Sequence, residues 1–247
     1  LSPRHHRTRT MPRTVLLNNV DHHDLRVVTR RGPEFGDDVM AVTTFPAEFR
    51  QLQAHHPIVF RKTPDGTGFE PVALLGLQEG QNLFLRPDGR WDAPVMPLAL
   101  ERLPFYIGRD GDELVVHVDL DSPRLNTTEG EPLFLPQGGS SDFLQRMNSV
   151  LLAIHQGLQT TPAFVAALLA HDLLEPFTCE ATLGDGRHCA LSGHYAVHED
   201  RLAALDGATL AQLSRAGHLQ AAYMAVASMS QLQALVARME AADAGRA

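Results

Sequence analysis

The chain has 247 residues, of which 44% are hydrophobic and 20% are charged, and this composition excludes wholesale disorder. The formal net charge at pH 7 is −8. An acidic chain with scattered arginines argues against a nucleic-acid partner, because such a partner needs clustered basic residues. The longest uninterrupted apolar run, 163–170, falls short of the roughly 18 residues that a membrane helix requires, so we expect a protein that is not membrane-embedded.

The amino-terminal end of the sequence is polar and basic, and no apolar stretch follows it. A secretory signal needs such a stretch and a small-residue cleavage site. We therefore interpret residues 1–10 as an N-terminal extension, with Met11 as the natural start, and 11–247 as a single domain. The expected location is the cytoplasm, and a signal-independent export route to the cell surface is the alternative.

The first half of the sequence has the pattern of short antiparallel strands. Apolar or alternating runs are separated by Asp-Gly turn clusters, which predicts an antiparallel β meander. A single short helix, 46–55, interrupts the strands, with proline at its first helical position. The predicted strands cover residues 14–17, 39–43, 58–61, 72–77, 82–85, 105–108 and 114–120.

The second half changes to helical periodicity. Apolar residues recur every three or four positions after Ser140 and Ser141, which are candidates for the N-cap of a first helix. Thr161 and Pro162 predict the start of a second helix. A capping box that opens at Thr209 predicts a third.

Two further elements complete the predicted fold. Strands 177–183 and 188–192 form a β-hairpin around a turn that contains Asp-Gly, and one long helix across 218–241 ends the pattern. Strands first and helices later predict an α+β fold. In it, the meander of the N-terminal half packs with a C-terminal helical half that contains one β-hairpin.

The most enzyme-like string in the sequence is His117-x-Asp119-x-Asp121. Residues two apart on a strand share a face, so these three side chains should project together. A His-x-Asp pair is part of the ligand set that holds non-haem Fe(II) in oxygenases, and His194 is available as a third metal ligand. Arg124, just after this string, completes the candidate catalytic residues.

The same segment has a simpler interpretation as a half-exposed strand. The alternating residues Leu114, Val116, Val118 and Leu120 are apolar, and we expect them to face the core while the polar face lies in water. The sequence contains no H-E-x-x-H, C-x-x-C, G-x-S-x-G, P-loop or dinucleotide-binding motif that would give a complete catalytic set.

Several strings along the chain resemble the SapC family. The resemblance runs from about Met11 into the last predicted helix and implies a single SapC-like domain over 11–247. It also implies an association with bacterial surface layers, and with genes for flavin-dependent halogenase-like proteins, cupin-like proteins and TonB-dependent receptors. It implies no catalytic residues. The strings are VLLNNVDH (15–22), TFPAEF (44–49), PIVFRK (57–62), HVDLDSPR (117–124), EGEPLF (129–134) and AGHLQ (216–220).

Two functions follow as expectations. The first is a non-enzymatic accessory or binding protein in a cell-surface or TonB-linked uptake system, with a protein or small-ligand partner and no cofactor. The alternative is a metal-dependent enzyme similar to non-haem iron oxygenases, in which Fe or Mn is held by the strand of His117 and Asp119. The sequence does not fix the oligomeric state.

Overall fold

The structure, a computed structural model, describes residues 13–182 and 188–244. The predicted extension 1–10 and the predicted hairpin turn 183–187 lie outside these residues. The strands are β1 (Thr14–Leu16), β2 (Arg26–Val27), β3 (Ala41–Thr43), β4 (Ile58–Lys62), β5 (Phe69–Leu74), β6 (Phe105–Asp110), β7 (Glu113–Asp119), β8 (Leu125–Asn126), β9 (Glu131–Pro132), β10 (Leu174–Thr182) and β11 (His188–Val197). The helices are α1 (Phe49–Leu52), α2 (Leu98–Glu101), α3 (Asp142–Ala170), α4 (Glu199–Ala203), α5 (Gly207–Arg215), α6 (His218–Ser228) and α7 (Gln231–Ala244), with a 3-10 turn at Pro33–Phe35.

The predicted α+β class is confirmed. Antiparallel strands fill most of the first half, and the second half is largely helical and contains the hairpin of β10 and β11. None of the helices in the described residues is long and apolar enough to cross a membrane.

The chain forms two compact units. The first consists of the residues up to Thr29 with Arg102–Leu151, and the second of Arg30–Glu101 with the residues from Leu152 onward. Helix α3 begins in the first unit and ends in the second. Two compact units can belong to one domain, so the single domain over 11–247 stays a prediction.

The first unit contains two small antiparallel sheets, with strand orders β1-β7-β6 and β8-β2-β9. Val118 of β7 pairs with Val15 on one side and Phe105 on the other, and both Val118 and Phe105 are fully buried. Phe105 also lies 6.2 Å, between ring centroids, from Phe143 of α3. These contacts give the first unit its own apolar centre.

The second unit is built on a five-stranded antiparallel sheet with the order β10-β11-β4-β5-β3. Its buried core joins this sheet to α1, α6 and the carboxyl-terminal part of α3, through residues that include Phe49, Phe60, Phe164 and Ala225. The hairpin predicted for the C-terminal half is therefore one edge of a sheet whose other strands come from the N-terminal half.

Helix α3 confirms one capping prediction and corrects another. The hydroxyl of Ser141 accepts a hydrogen bond from the N–H of Leu144 at 3.2 Å, as an N-cap does. Thr161 and Pro162, however, do not start a new helix, because α3 continues through Pro162 to Ala170. In the turn before the proline, the hydroxyls of Thr160 and Thr161 both donate to the carbonyl of Gly157 at 2.9 Å. These bonds add hydrogen bonding where proline removes a backbone donor.

The prediction of one long helix over 218–241 is wrong, because the helix is interrupted after Ser228 and the segment forms two helices, α6 and α7. At the end of α6, the buried Ser228 donates to the carbonyl of Ala225 at 2.6 Å and accepts from the N–H of Ile58 in β4 at 2.8 Å. The next backbone bonds, from Met229 to Val226 and from Ser230 to Ala227, have the tighter spacing that ends an α-helix. The side chain of Ser228 therefore connects the end of α6 to strand β4 of the sheet.

A buried histidine lies beside the central sheet of the second unit. His56 has no exposed surface, and its two ring nitrogens lie 3.4 and 3.3 Å from the carbonyl oxygens of Leu74 and Val95. Its ring is 4.4 Å from that of Phe84 and 6.0 Å from that of Trp91, between centroids. Burial lowers the pKa of His56 to about 4, because the charged imidazolium loses its hydration.

This histidine makes the stability of the fold depend on pH. The unfolded chain binds a proton at His56 below about pH 6.5, whereas the folded protein does not until about pH 4. The free energy of unfolding should therefore fall as the pH is lowered across this range, by about 3 kcal/mol in full. Denaturant titrations at several pH values should show that His56→Gln removes most of this slope and that His55→Gln keeps it. Equal slopes in the parent and His56→Gln would contradict the assignment.

Close packing between α3 and the segment after β3 depends on a glycine. A Cβ atom built at Gly157 would overlap the ring of Phe45, and both residues are buried. Gly157 is thus the point of α3 at which the helix and the Phe45 segment approach each other.

We expect Gly157→Ala to lower the free energy of unfolding by up to about 2 kcal/mol. Overpacking a core costs roughly 1–3 kcal/mol, and the higher helix propensity of alanine offsets about 1 kcal/mol of this. Gly207 in α5 is a matched control, because nothing lies within 4 Å of a Cβ built there. Gly207→Ala should leave stability unchanged or slightly higher. The packing argument fails if both substitutions have the same effect in chemical denaturation.

Candidate functional site

The His117 strand lies in the first unit. His117 of β7 pairs with Leu16 and Tyr106, and its ring lies against Gly108, where a built Cβ would be 2.9 Å from the ring. The predicted alternation is confirmed at Val118, which is buried, but it is wrong at Leu114, which is 40% exposed. Leu114 is near the amino-terminal end of β7, where the β6–β7 hairpin is largely exposed.

The two aspartates after His117 do not both belong to the strand. Asp119 is the last residue of β7, and its Oδ1 accepts a hydrogen bond from the N–H of Asp121 at 3.1 Å. Asp121 lies in the turn that follows, with its carboxylate 3.6 Å from Nε of Arg13 in an exposed ion pair. The expected shared face is therefore limited to His117 and Asp119.

Arg124 is the most deeply buried of the candidates. Its side chain is 1% exposed, and its Nη1 donates to the carbonyl of Val28 at 3.1 Å. The backbone carbonyl of Arg124 in turn accepts from the N–H of Val28 at 2.9 Å. These contacts join two distant segments of the first unit, and a catalytic role for Arg124 stays a prediction.

His194 lies in the second unit, on β11 opposite Arg61 of β4. It is 7% exposed, and its Nδ1 is 3.0 Å from the carbonyl oxygen of Ser192. Burial, and to a smaller degree the charge of Arg61, lowers the pKa of His194 and favours the neutral ring. Across residues 13–182 and 188–244, no group of three or more His, Cys, Asp or Glu side chains could hold a metal ion. The ligand set His117, Asp119 and His194 stays a prediction.

Metal titration tests that ligand set directly. We expect His117→Ala and Asp119→Ala to leave the affinity of the metal-free protein for Fe(II) and Mn(II) unchanged, because no third ligand joins these two side chains among the described residues. Glu113→Ala, at the exposed start of the same strand, is the control. Stoichiometric binding that both variants abolish and the control retains would instead support the metal-dependent alternative.

A pocket of about 330 Å³ lies in the second unit, and sequence reasoning did not identify it as a site. We call it the Arg50–His218 pocket. Its walls come from α1 and the segment before it, from α3, and from α6 and its junction with α5. The lining residues are Pro46, Ala47, Arg50, Thr160, Phe164, Ala216, Gly217, His218, Gln220, Ala221 and Met224.

A buried carboxylate holds the first wall in place. Glu48 is 3% exposed, and its two oxygens accept from the hydroxyl of Thr44 at 2.6 Å and from the N–H of Leu98 at 2.7 Å. Burial raises the pKa of Glu48, and the two hydrogen bonds oppose that rise. The turn after Phe45 is closed by backbone bonds of the i to i+3 type. Because these residues form turns and not α-helix, the observed helix α1 is shorter than the predicted helix 46–55. The same turn and the bonds of Glu48 hold the backbone that leads into Arg50.

The junction of α5 and α6 forms the opposite wall. Gly217 has φ 75°, a left-handed conformation that glycine adopts without strain, and it turns the chain from α5 into α6. Within the described residues, no side chain caps α6. Its first N–H groups add partial positive charge to this wall. His218, the first residue of α6, is half-buried and lines the pocket beside Gly217.

The floor of the pocket is apolar. Phe164 of α3 and Ala221 of α6 are buried, and the Phe164 ring lies 5.9 Å from Phe49 and 5.8 Å from His218, between centroids. The half-buried Met224 extends the same surface. The pocket is therefore continuous with the core of the second unit.

The polar groups at the rim are cationic or neutral. Among the described residues, Arg50 makes no ion pair and neither ring nitrogen of His218 has a hydrogen-bond partner. No acidic residue is among the described residues that line the pocket. Two donor groups of this kind beside an apolar floor can bind an external acceptor.

Two of the strings that resemble the SapC family contribute residues to the walls of the pocket. TFPAEF supplies Pro46 and Ala47, and AGHLQ supplies Gly217 and His218. No curated protein and no solved structure matches the chain. The sequence model of the SapC family matches residues 17–235. Because this match spans most of the sequence, the chain belongs to the SapC family.

Proposed function

We propose that this chain is a non-enzymatic binding protein that takes a small ligand in the Arg50–His218 pocket. The observation that carries the proposal is the lining of the pocket, in which an apolar floor lies beside donor groups without partners among the described residues. Ligand sites in proteins have this composition, with mostly apolar walls and a few polar groups that orient the ligand. The volume of about 330 Å³ lies at the small end of the usual range of roughly 300–1,000 Å³, which suits a small ligand.

The side chains of the pocket favour binding over catalysis. A nucleophilic site needs a nucleophile, a base within hydrogen-bond reach and a group that orients the base. The hydroxyl of Thr160 donates to the carbonyl of Gly157 in its own helix, and His218 packs against Phe164. Within the described residues that line the pocket, no carboxylate is available to orient His218.

The contacts that hold the walls of the pocket in place support a site that is already formed in the absence of ligand. The Glu48 carboxylate fixes one wall through Thr44 and Leu98, and the Gly157–Phe45 approach fixes that wall against α3. A rigid site loses little conformational entropy when a ligand binds, and this raises affinity.

The biological setting is proposed from the SapC resemblance. We place the protein in the cytoplasm, as an accessory component of a cell-surface or TonB-linked uptake system. A partner protein in that system would act together with the small ligand. In this setting, ligand binding in the second unit would report on, or deliver, a compound that the system handles.

A fragment screen by ¹H–¹⁵N NMR tests whether the pocket binds ligands at all. The library should contain acids, amines and neutral compounds. We expect some fragments to shift the signals of Gly217, His218 and Gln220, and Ala47→Trp to weaken their binding at least tenfold by filling the rim. Ala54→Trp is the matched control, since Ala54 is also exposed and lies outside the lining. The proposal fails if no fragment of any charge class perturbs the pocket.

A further inference from the structure

We infer that the Arg50–His218 pocket selects a small carboxylate with an apolar body. This inference rests on the proposed function, because it names the chemical class of ligand for the same site. It combines three properties of the lining: the sign of its charge, the apolar character of its floor and its size.

The charge of the lining favours an anion. Arg50 carries a permanent positive charge, and His218 presents ring nitrogens that have no hydrogen-bond partner among the described residues. The acidic side chain nearest in sequence to Arg50 is Glu48, and it does not line the pocket. Both of its oxygens accept hydrogen bonds from Thr44 and Leu98. An amine in the pocket would therefore meet a cation without a compensating carboxylate from the described lining.

The floor of the pocket favours an organic anion over a bare inorganic one. Phe164, Ala221 and Met224 offer apolar surface in the same lining as Arg50 and His218. An apolar body against these residues gains roughly 25 cal/mol for each Å² removed from water. Inorganic phosphate cannot use this surface, and acetate can cover it with only one methyl group.

The number of donors and the volume favour a carboxylate over a phosphate ester. The described lining contains a single arginine, whose guanidinium fork matches the two oxygens of one carboxylate. A phosphate dianion carries more charge and more acceptor oxygens than Arg50 and His218 can satisfy. A volume of about 330 Å³ has room for a carboxylate together with an apolar body of the size of a hexyl chain.

A series of ligands with one body and different head groups tests the inference. Calorimetric titration should compare hexanoate with hexanamide, hexylamine and hexyl phosphate, and acetate serves as the head group alone. We expect hexanoate to bind at least tenfold more tightly than each of the others. Arg50→Gln should reduce hexanoate affinity about tenfold, whereas Lys62→Gln, an exposed cation of the same unit outside the lining, should not.

The outcomes separate this inference from the proposed function. Tighter binding of the amide, the amine or the phosphate would overturn the carboxylate assignment and leave the pocket as a ligand site. Equal affinity of the parent and Arg50→Gln for hexanoate would also overturn it. A positive fragment screen without hexanoate binding would overturn only the ligand class, whereas a negative fragment screen would overturn the proposed function as well. His218→Gln provides a second test, because it should weaken hexanoate while Lys62→Gln does not.

Discussion

The buried carboxylate of Glu48 is the interaction on which the second unit depends most. A carboxylate in an apolar setting is costly unless its oxygens are satisfied, and Glu48 receives one hydrogen bond from Thr44 and one from the backbone of Leu98. It thereby ties the segment before α1 to the start of α2. With this segment fixed, Phe45 can lie against Gly157 of α3, and Arg50 is held at the rim of the pocket. Loss of either partner would leave a buried carboxylate oxygen without its hydrogen bond.

Local patterns predicted the elements that local interactions determine. Ser141 caps α3 through its own hydroxyl, so its sequence position was informative. The break after Ser228 was not predictable, because its cause is a hydrogen bond to Ile58, far away in the sequence. Pro162 gave a misleading signal, since α3 continues through it with hydroxyl bonds from Thr160 and Thr161.

Among the strands, too, local sequence pattern predicted some elements and missed those that depend on distant contacts. Strands β4 and β7 were predicted from their alternation and apolar content, and β11 was predicted from the Asp-Gly turn before it, over 188–192 only. Strands β2, β8 and β9 have two residues each, too few to show a period. Predicted strand 82–85 is wrong, because Leu85 forms only an isolated bridge with Trp91. Sheet order was beyond the local pattern, since pairs such as β1–β7 and β11–β4 join strands that are distant in the sequence.

The candidate sites differ in how sequence can reveal them. His117 and Asp119 attract attention because they are neighbours on one strand, and a spacing of two is visible in any sequence. Arg50 and His218 are far apart in the chain and come together only through the packing of α1, α3 and α6. Their signal was present in the strings that resemble the SapC family, which contain or adjoin both residues, but a string does not distinguish a supporting residue from one that faces the ligand.

Within these strings, packing separates the residues that support the pocket from those that line it. In TFPAEF, Thr44, Phe45 and Glu48 support the wall, and Pro46 and Ala47 line it. In HVDLDSPR, Arg124 bonds to the backbone of Val28. The division of these strings into supporting and lining residues therefore comes from the packing, and it makes the second unit the place to look for a ligand.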